Sequence, residues 1–318
     1  MINVQGLRKA FGKQVVLDGI DLHVADGSIF SLLGPNGAGK TTTVQILSTL
    51  LQPDAGSVSI AGHDLKREPE AIRRLIGLTG QFSAVDTVLT GQQNLLLMVN
   101  LRHMDRRAGK RRADELLERF ELVDAANKPV SSYSGGMRRK LDLAMSLIGN
   151  PRLIFLDEPT TGLDPRSRQT MWELITELAA HGVTIFLTTQ YLEEADRLSN
   201  RIGVLDKGRL VAEGTPADLK HRIPGGHVEL QFADATSLDR AAQSLSSTVR
   251  DENTLMLRVA NDGSVEALRH LLDQLDSSAI PVTGLSVHTP DLDDVFFALT
   301  AQPTAQPTAK TNEKEAAQ

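Results

Sequence analysis

Residues 34–41 have the residue types and spacing of a phosphate-binding loop, reading Gly-Pro-Asn-Gly-Ala-Gly-Lys-Thr. They follow the apolar run Ile29–Leu33 and precede a helical pattern, which is the strand–loop–helix context that this motif requires. Glycines let backbone N–H groups converge on phosphate oxygens, and a helix N-terminus adds a partial positive charge. We expect Lys40 to bind the β- and γ-phosphates of a nucleotide and the Thr41 hydroxyl to ligate Mg²⁺.

Two adjacent acids form the second candidate group. Asp157 and Glu158 follow the apolar run 153–156, so a buried strand would deliver them to the edge where open α/β sheets bind ligands. Beside a phosphate-binding loop, Asp157 is suited to hold Mg²⁺ and Glu158 to act as the general base for an attacking water. Taken alone, the same pair is equally an acidic turn after a core strand.

A second anion cradle is indicated by Ser134-Gly135-Gly136, which opens another helical pattern. A serine N-cap followed by glycines presents free N–H groups at a helix start, although the same residues also form a plain N-cap. The chain therefore carries two phosphate-type cradles but one phosphate-binding lysine and one acid pair. This imbalance requires an explanation that a single nucleotide site does not provide.

The elements around these residues predict an α/β fold. Short apolar runs, including 183–187, alternate with helical patterns such as Pro165–Ala180, which carries proline near its first turn. Such strands separated by helices imply a mainly parallel sheet covered on both faces. From about residue 90 to 148 the spacing is helical with no clear strand, which predicts an inserted helical subdomain.

A breaker cluster at residues 223–226, Ile-Pro-Gly-Gly, predicts a domain boundary. We place a nucleotide-binding domain at 1–222, a small α/β domain at 223–300 and a disordered tail at 301–318, where an Ala-Gln-Pro-Thr repeat turns polar. The small domain shows strand patterns at 227–232, 255–259 and 282–287, helical patterns at 237–245 and 264–275, and Asp291 as the cap of a last helix ending near residue 299.

Composition excludes several function classes. The chain has 318 residues, 41% hydrophobic and 23% charged, with no cysteine, so disulfides, thiolate metal sites and thiol nucleophiles are excluded. A net charge of −6 does not favour nucleic-acid binding by bulk electrostatics. No apolar run approaches the roughly 20 residues that span a bilayer, and the first residues lack a signal-peptide pattern, so we expect a membrane link only through a partner.

These segments together resemble the ATP-binding-cassette (ABC) ATPases over about residues 1–219, with residues 133–139 similar to the family's signature motif. In that family two cassettes pair head to tail, and the signature of one closes on the γ-phosphate bound by the other, which accounts for the second cradle. The resemblance implies ATP and Mg²⁺ as cofactors. It implies nucleotide contacts from Gly34, Pro35, Asn36, Gly37, Ala38, Gly39, Lys40, Thr41 and Thr42, and contacts to the partner's ATP from Ser134, Gly135 and Gly136.

Further residues match family positions one at a time. Phe11 matches the aromatic residue that stacks on adenine, although it also reads as a core phenylalanine. Gln81 matches the glutamine that reaches Mg²⁺ and the attacking water, whereas a lone glutamine is usually a surface residue. Residues 161–165 match the loop that meets the partner cassette, and Asp164 there equally suits an N-cap.

The residue after the last core strand departs from the commonest family pattern, because Gln190 stands where histidine is usual. Glutamine donates a hydrogen bond to a γ-phosphate but does not accept and return a proton. We therefore expect Glu158 as the base, Gln190 as a polar sensor, and slow but real turnover. Residues 188–196 and 292–300 are similar to the daunorubicin/doxorubicin-resistance branch of the family.

The resemblance implies a subunit at the cytoplasmic face of the membrane that pairs with a second nucleotide-binding subunit, as a homodimer, and with a separate integral-membrane permease. Its implied task is ATP-driven export of hydrophobic drugs or lipids. Alternatives are export of polysaccharide or another substrate, a nucleotide-gated binding module suggested by Gln190, and a soluble ATPase acting on DNA or ribosomes. The acidic balance and the absence of a long heptad segment disfavour the last, so no nucleic acid is expected as a partner. We expect the C-terminal domain to aid pairing with a second copy or with the membrane partner.

Overall fold

The computed structural model describes residues 1–81, 84–221, 226–245, 248–251, 253–261, 264–288, 291–292 and 294–296. The predicted tail at 301–318, residues 223–225 of the breaker cluster and residues 297–299 of the predicted last helix lie outside this description. None of the described helices combines the length and the apolar character needed to cross a membrane.

Strands and helices alternate along most of the chain. The strands are β1 (Ile2–Phe11), β2 (Gln14–Val24), β3 (Ile29–Leu33), β4 (Ala55–Ile60), β5 (His63–Asp64), β6 (Ile76–Thr79), β7 (Leu153–Asp157), β8 (Thr184–Thr189), β9 (Arg201–Asp206), β10 (Arg209–Gly214), β11 (His227–Gln231), β12 (Thr248–Asp251), β13 (Met256–Ala260) and β14 (Gly284–His288). The helices are α1 (Lys40–Leu47), α2 (Pro69–Leu75), α3 (Gly91–Leu101), α4 (Arg106–Arg119), α5 (Gly135–Ser146), α6 (Pro165–Ala180), α7 (Leu192–Leu198), α8 (Pro216–His221), α9 (Ala235–Ser244) and α10 (Val265–Ser277).

The central sheet has the strand order β10-β9-β3-β8-β7-β6, and every pairing except β10–β9 is parallel. The predicted α/β fold with a mainly parallel sheet is confirmed. Each central strand buries both faces: Ile154 and Leu156 pack into the helical side of the core, and Leu153 and Phe155 into the opposite side. This two-sided burial is why the strand is a continuous apolar run, each such side chain contributing about 1.5–3 kcal/mol.

A second, antiparallel sheet with the order β2-β1-β4-β5 was not predicted from the sequence. Strand β1 begins by alternating, with Ile2 and Val4 buried and Asn3 and Gln5 exposed. The alternation then breaks at Gly6, which has a φ of 59°, and the register shifts before Leu7. A bulge of this kind adds a residue to one strand and so hides the two-residue period.

The segment between β6 and β7 forms the predicted helical region. It contains α3, α4 and α5 with two short 3₁₀ turns, Val123–Ala125 and Val130–Ser132. Thr90 starts α3 with a capping box, since its side chain accepts from the Gln93 N–H while the Gln93 side chain accepts from the Thr90 N–H. The exact bounds of this subdomain stay a prediction.

Residues after 226 form a third sheet, β12-β13-β11-β14, with its own apolar cluster that includes residues of α9 and α10. Strand β12, only four residues long, is an element that the sequence did not reveal. Asp291 acts as the predicted cap, because its Oδ1 accepts from the Asp294 N–H at 2.9 Å. Leu292 and Val295 belong to an apolar cluster with Leu219 and residues of β3 and β9, so this part of the chain packs back against the central sheet.

Candidate functional site

The loop between β3 and α1 is shaped by its glycines. Gly37 and Gly39 have φ angles of 82° and 110°, in the left-handed region that favours glycine. A Cβ atom on Gly39 would lie 2.6 Å from Leu17 Cδ2 and 3.0 Å from the Val16 carbonyl oxygen, so there is little room for a side chain between the loop and strand β2. The backbone therefore approaches β2 closely and then enters α1, whose N-terminus adds a positive partial charge to the loop.

Lys40, the first residue of α1, turns its side chain back over the loop. Its Nζ donates to the carbonyl oxygens of Gly34 at 2.8 Å and Pro35 at 3.1 Å, and lies 3.4 Å from Glu158 Oε1. Burial lowers the pKa of the Lys40 ammonium from its usual value, while the Glu158 and Asp157 carboxylates act in the opposite direction. The cation is thus enclosed between Glu158 and the loop that the sequence predicts to bind phosphates.

The two predicted acids occupy the end of β7, beside the end of β8. Thr188, the register partner of Asp157, donates from Oγ1 to Asp157 Oδ1 and accepts from the Glu158 N–H at 3.1 Å. Glu158 has a φ of 49°, a conformation that costs a non-glycine residue about 1–3 kcal/mol. Its carboxylate lies between Lys40 and Thr161, whose Oγ1 donates to Oε2 at 3.2 Å.

An open cleft of about 420 Å³ brings most of these residues together. This volume falls within the range of small-molecule sites. The cleft is lined by Gln14, Val16, Asn36, Gly37, Gly39, Lys40, Thr41, Thr42, Gln81 and Glu158. Gln14 and Val16 of β2 were missed by sequence reasoning, since nothing in their type or spacing connects them to a loop 20 residues later.

The remaining loop residues support the cleft without lining it. The Gly34 N–H donates to the Thr189 carbonyl at 3.2 Å, and the Ala38 N–H donates to the Pro35 carbonyl at 3.3 Å. The Ala38 carbonyl accepts from Gly208 at 3.1 Å, in the turn between β9 and β10. The bonds to Thr189 and Gly208 attach the loop to neighbouring parts of the sheet, which holds the loop beside the cleft.

Phe11, Asp157 and Gln190 lie outside the set of cleft-lining residues. Phe11 ends β1 and is 50% exposed, and Lys9 Nζ lies 5.5 Å from the centroid of its ring. It is therefore not a core phenylalanine, and its role in stacking on adenine stays a prediction. Gln190 is half-buried and follows β8 directly, one residue after Thr189. Its role as a γ-phosphate sensor also stays a prediction.

The predicted helix cap at Ser134 is formed by residues that do not line the cleft, and its role as an anion cradle stays a prediction. Ser134 caps α5, its Oγ accepting from the Met137 N–H at 3.2 Å, and Ser134 and Gly135 are exposed. Gly136 lies close to α6, because a Cβ atom there would be 2.6 Å from Ser167 Oγ and 3.1 Å from Ser167 Cβ. Asp164 caps α6 by accepting from the Ser167 N–H at 3.0 Å. Any contact of these residues with a second cassette stays a prediction.

Two buried polar residues near the acids were missed by sequence reasoning. Thr188 gave a weak signal, a hydroxyl at the end of a buried apolar strand. Glu194 accepts from Thr160 Oγ1 at 2.8 Å and from Trp172 Nε1 at 3.0 Å. Burial raises the pKa of the Glu194 carboxyl above its usual value, against the effect of these hydrogen bonds. The available signal was an acid next to Ala195 on the apolar face of a short helix.

Two family matches together cover most of the chain. Residues 17–161 match the family described as ABC transporter, and residues 214–300 match the family described as ATP-binding protein DrrA1-3-like, C-terminal domain.

Relatives match over nearly the full length. The chain is 48% identical over 301 residues to the daunorubicin resistance ATP-binding protein DrrA3 of Streptomyces coeruleorubidus, covering 94% of this chain and 95% of that protein. It is 43% identical over 307 residues to the daunorubicin/doxorubicin resistance ATP-binding protein DrrA of Streptomyces peucetius, covering 95% and 93%. It is 38% identical over 305 residues to the Nod factor export ATP-binding protein I of Ralstonia nicotianae, covering 95% and 94%.

Solved structures show the same fold over about two thirds of the chain. An ATP-binding subunit of an ABC transporter is 30% identical with a TM-score of 0.63, covering 70% of this chain and 92% of that one. A dimeric ATP-binding cassette in a post-hydrolysis state, bound to ADP and Pi, is 28% identical with a TM-score of 0.62, covering 68% and 98%.

Proposed function

Because the chain belongs to the ABC transporter family of ATP-binding, ATP-hydrolysing subunits, we propose that it energises export of hydrophobic drugs of the daunorubicin and doxorubicin type, or of lipids. A separate integral-membrane permease would carry the compound. This chain would bind the permease at the cytoplasmic face of the membrane, as a peripheral subunit. The observation that carries the proposal is the similarity to daunorubicin and doxorubicin resistance proteins over nearly the whole chain, through the C-terminal family match at 214–300.

The geometry of the cleft supports hydrolysis of a nucleoside triphosphate. Lys40 and the loop N–H groups would bind the phosphates, and Glu158 would accept the proton of the attacking water. Thr41, Gln81 and Asp157 supply hydroxyl, amide and carboxylate oxygens, which are the ligands that Mg²⁺ prefers. Bound Mg²⁺ would neutralise phosphate charge, and Gln190 would donate a hydrogen bond to the γ-phosphate.

Pairing with a second cassette would complete the site, because the cleft around Lys40 lacks residues of the Ser134-Gly135-Gly136 cradle. We propose a homodimer in which each chain offers this cradle to the ATP held by the other. ATP binding would close the pair and hydrolysis would reopen it. This cycle would shift the equilibrium between two conformations of the permease.

A second candidate substrate class is supported by the Nod factor export relatives, which match the chain nearly as completely at lower identity. The same ATP cycle would then drive export of a compound other than a drug or a lipid. The cleft does not distinguish these substrates, because in either case the exported compound would be bound by the permease.

Transport by the complete complex tests the proposal. The chain would be expressed with the multi-span subunit that co-purifies with it from native membranes, and doxorubicin retention and ATP hydrolysis would be measured. We expect lower retention and partner-stimulated hydrolysis with the unmodified chain, and neither with Glu158→Gln. Hydrolysis without any difference in retention would refute drug export and direct the assay to the second candidate. Equal hydrolysis in both chains would refute the role of Glu158.

Dimer formation tests the pairing proposal separately. Glu158→Gln in Mg-ATP should trap the closed pair, which light scattering detects as a doubled mass. Adding Ser134→Arg should keep it monomeric, whereas adding Ser57→Arg on the exposed face of β4 should not. The C-terminal domain's role in pairing is best tested in the full chain, because truncation would expose Leu219 and its apolar neighbours.

A further inference from the structure

Arg139 is a buried cation that the proposed chemistry does not use. It lies one turn into α5 and is only 9% exposed, within a helix whose other buried residues are mostly apolar. Burial lowers the pKa of its guanidinium, while the carboxylates of Asp142, Asp157 and Glu194 act in the opposite direction. A buried charge is stable only where it is paired and hydrogen-bonded. The partners of the Arg139 guanidinium therefore indicate its role.

One edge of the guanidinium binds the segment that carries the proposed base. Nε donates to the Pro159 carbonyl at 2.9 Å, and Nη2 donates to the carbonyls of Asp157 at 3.1 Å and Glu158 at 3.3 Å. These three consecutive carbonyls lie at the end of β7, where Asp157 is the last residue paired with β8 and the Glu158 carbonyl also accepts from the Thr161 N–H at 3.3 Å. The side chain of Arg139 therefore binds the backbone at Glu158 and on both sides of it.

The other edge binds the segment that carries Gln81. Nη1 donates to the Gly80 carbonyl at 2.8 Å and lies 3.3 Å from Asp142 Oδ2. Asp142 Oδ1 accepts from the Ala84 N–H at 3.3 Å. Residues on both sides of Gln81 are therefore tied to the same ion pair on α5.

From this arrangement we propose that Arg139 is a positioning residue for ATP hydrolysis, whose guanidinium holds the Gln81 segment and the Glu158 segment in one fixed relation. The planar fork suits this task, because its separate N–H groups reach both segments at once, which a lysine ammonium does not. The inference rests on the proposed function, since it assigns roles in hydrolysis to Gln81 and Glu158.

The test compares kcat with nucleotide affinity. In the full chain, Arg139→Gln should lower kcat at least about tenfold while the dissociation constant for a fluorescent ATP analogue changes by less than about threefold. Arg139→Lys should fall between Arg139→Gln and the unmodified chain. Lys140→Gln is the matched control, because it removes a cation from the same helix whose partner is the exposed Glu121, and should leave both quantities unchanged.

Chemical rescue separates positioning from loss of folding. Guanidinium at about 20 mM, far below denaturing concentrations, should restore part of the kcat of Arg139→Ala, and the same concentration of ammonium chloride should not. If Arg139→Gln folds poorly, the double variant Arg139→Met with Asp142→Leu removes both charges and leaves no unpaired one. It should fold and still show the loss of kcat.

The outcomes distinguish the positioning role of Arg139 from the proposed role of Glu158 as the base. An unchanged kcat in Arg139→Gln and in the double variant would overturn the positioning role. A parallel loss of nucleotide binding and kcat without guanidinium rescue would also overturn it, since it would show a structural role only. Hydrolysis that persists in Glu158→Gln, measured alongside, would refute the proposed base and so the premise of the inference.

Discussion

Lys40 Nζ lies 3.4 Å from Glu158 Oε1, and the two side chains are only 5% and 7% exposed. They are 118 positions apart in the chain, at the start of α1 and just past the end of β7. The proposed phosphate ligand and the proposed general base are thus ion-paired in a shielded place, where a charge interaction is stronger than in water.

Replacing Lys40 tests its role as the phosphate ligand. Lys40→Met removes the cation from the loop and leaves the Glu158 carboxylate without its buried partner, so we expect ATP affinity to fall at least about tenfold. Titration with a fluorescent nucleotide measures the change. Lys13→Met, which removes an exposed cation, is the control. Unchanged affinity in Lys40→Met would contradict the assignment.

Thr188→Val should lower the apparent affinity for Mg²⁺ in ATP hydrolysis. The substitution keeps the shape of the side chain but removes the hydroxyl that donates to Asp157 and accepts from the Glu158 N–H, at a cost of about 1–3 kcal/mol. We expect the Mg²⁺ concentration for half-maximal ATPase to rise several-fold. Thr188→Ser, which keeps the hydroxyl, should behave like the unmodified chain; equal Mg²⁺ dependence of all three chains would show that Thr188 does not orient Asp157.

Gln190 is expected to contribute to kcat through a hydrogen bond. Gln190→Ala should lower kcat about tenfold or more, because the side chain can no longer donate to the γ-phosphate. Gln190→His should retain turnover and add an inflection to the pH–rate profile near the usual histidine pKa, about 6.5. Full activity in Gln190→Ala would show that Gln190 has no role in hydrolysis.

Glu194 is expected to make stability depend on pH. Because burial raises its pKa above the unfolded value of 4.5, its favourable contribution is complete below that pH and is lost as pH rises through the folded-state pKa. Arg168 is the charged neighbour that opposes this shift, and Arg139 also interacts with it. Glu194→Gln keeps the shape and does not ionise, so its stability relative to the unmodified chain should increase with pH.

Urea unfolding of both chains at about pH 5 and about pH 8 measures the difference, since each unit of pKa shift corresponds to about 1.4 kcal/mol. Exposed Glu121, whose pKa is lowered by Lys140, provides the control: Glu121→Gln should not gain stability as pH rises. A constant difference between Glu194→Gln and the unmodified chain would show that Glu194 has the same charge in both states.

The end of β7 shows which features local sequence pattern predicts and which depend on tertiary contacts. The apolar run and the two acids after it predicted a buried strand that ends in Asp157 and Glu158, and β7 is that strand. The left-handed φ of Glu158 and its bonds to Thr188 were not predictable, because they depend on a strand that lies 30 residues later in the chain. Spacing rules describe neighbours within one element, whereas these bonds join different elements.

By itself the sequence determined the α/β fold, the glycine-rich loop that leads into a helix at Lys40 and Thr41, the acid pair at the end of a buried strand and the helix cap at Ser134. These follow from local rules: side-chain period, glycine φ freedom and helix capping each act over a few residues. Only the tertiary structure decided that Lys40 meets Glu158, that the antiparallel sheet supplies Gln14 and Val16 to the cleft, and that Arg139 is buried against two loops. The physical reason is that burial and ion pairing depend on which distant segments pack together, and no local pattern records that choice.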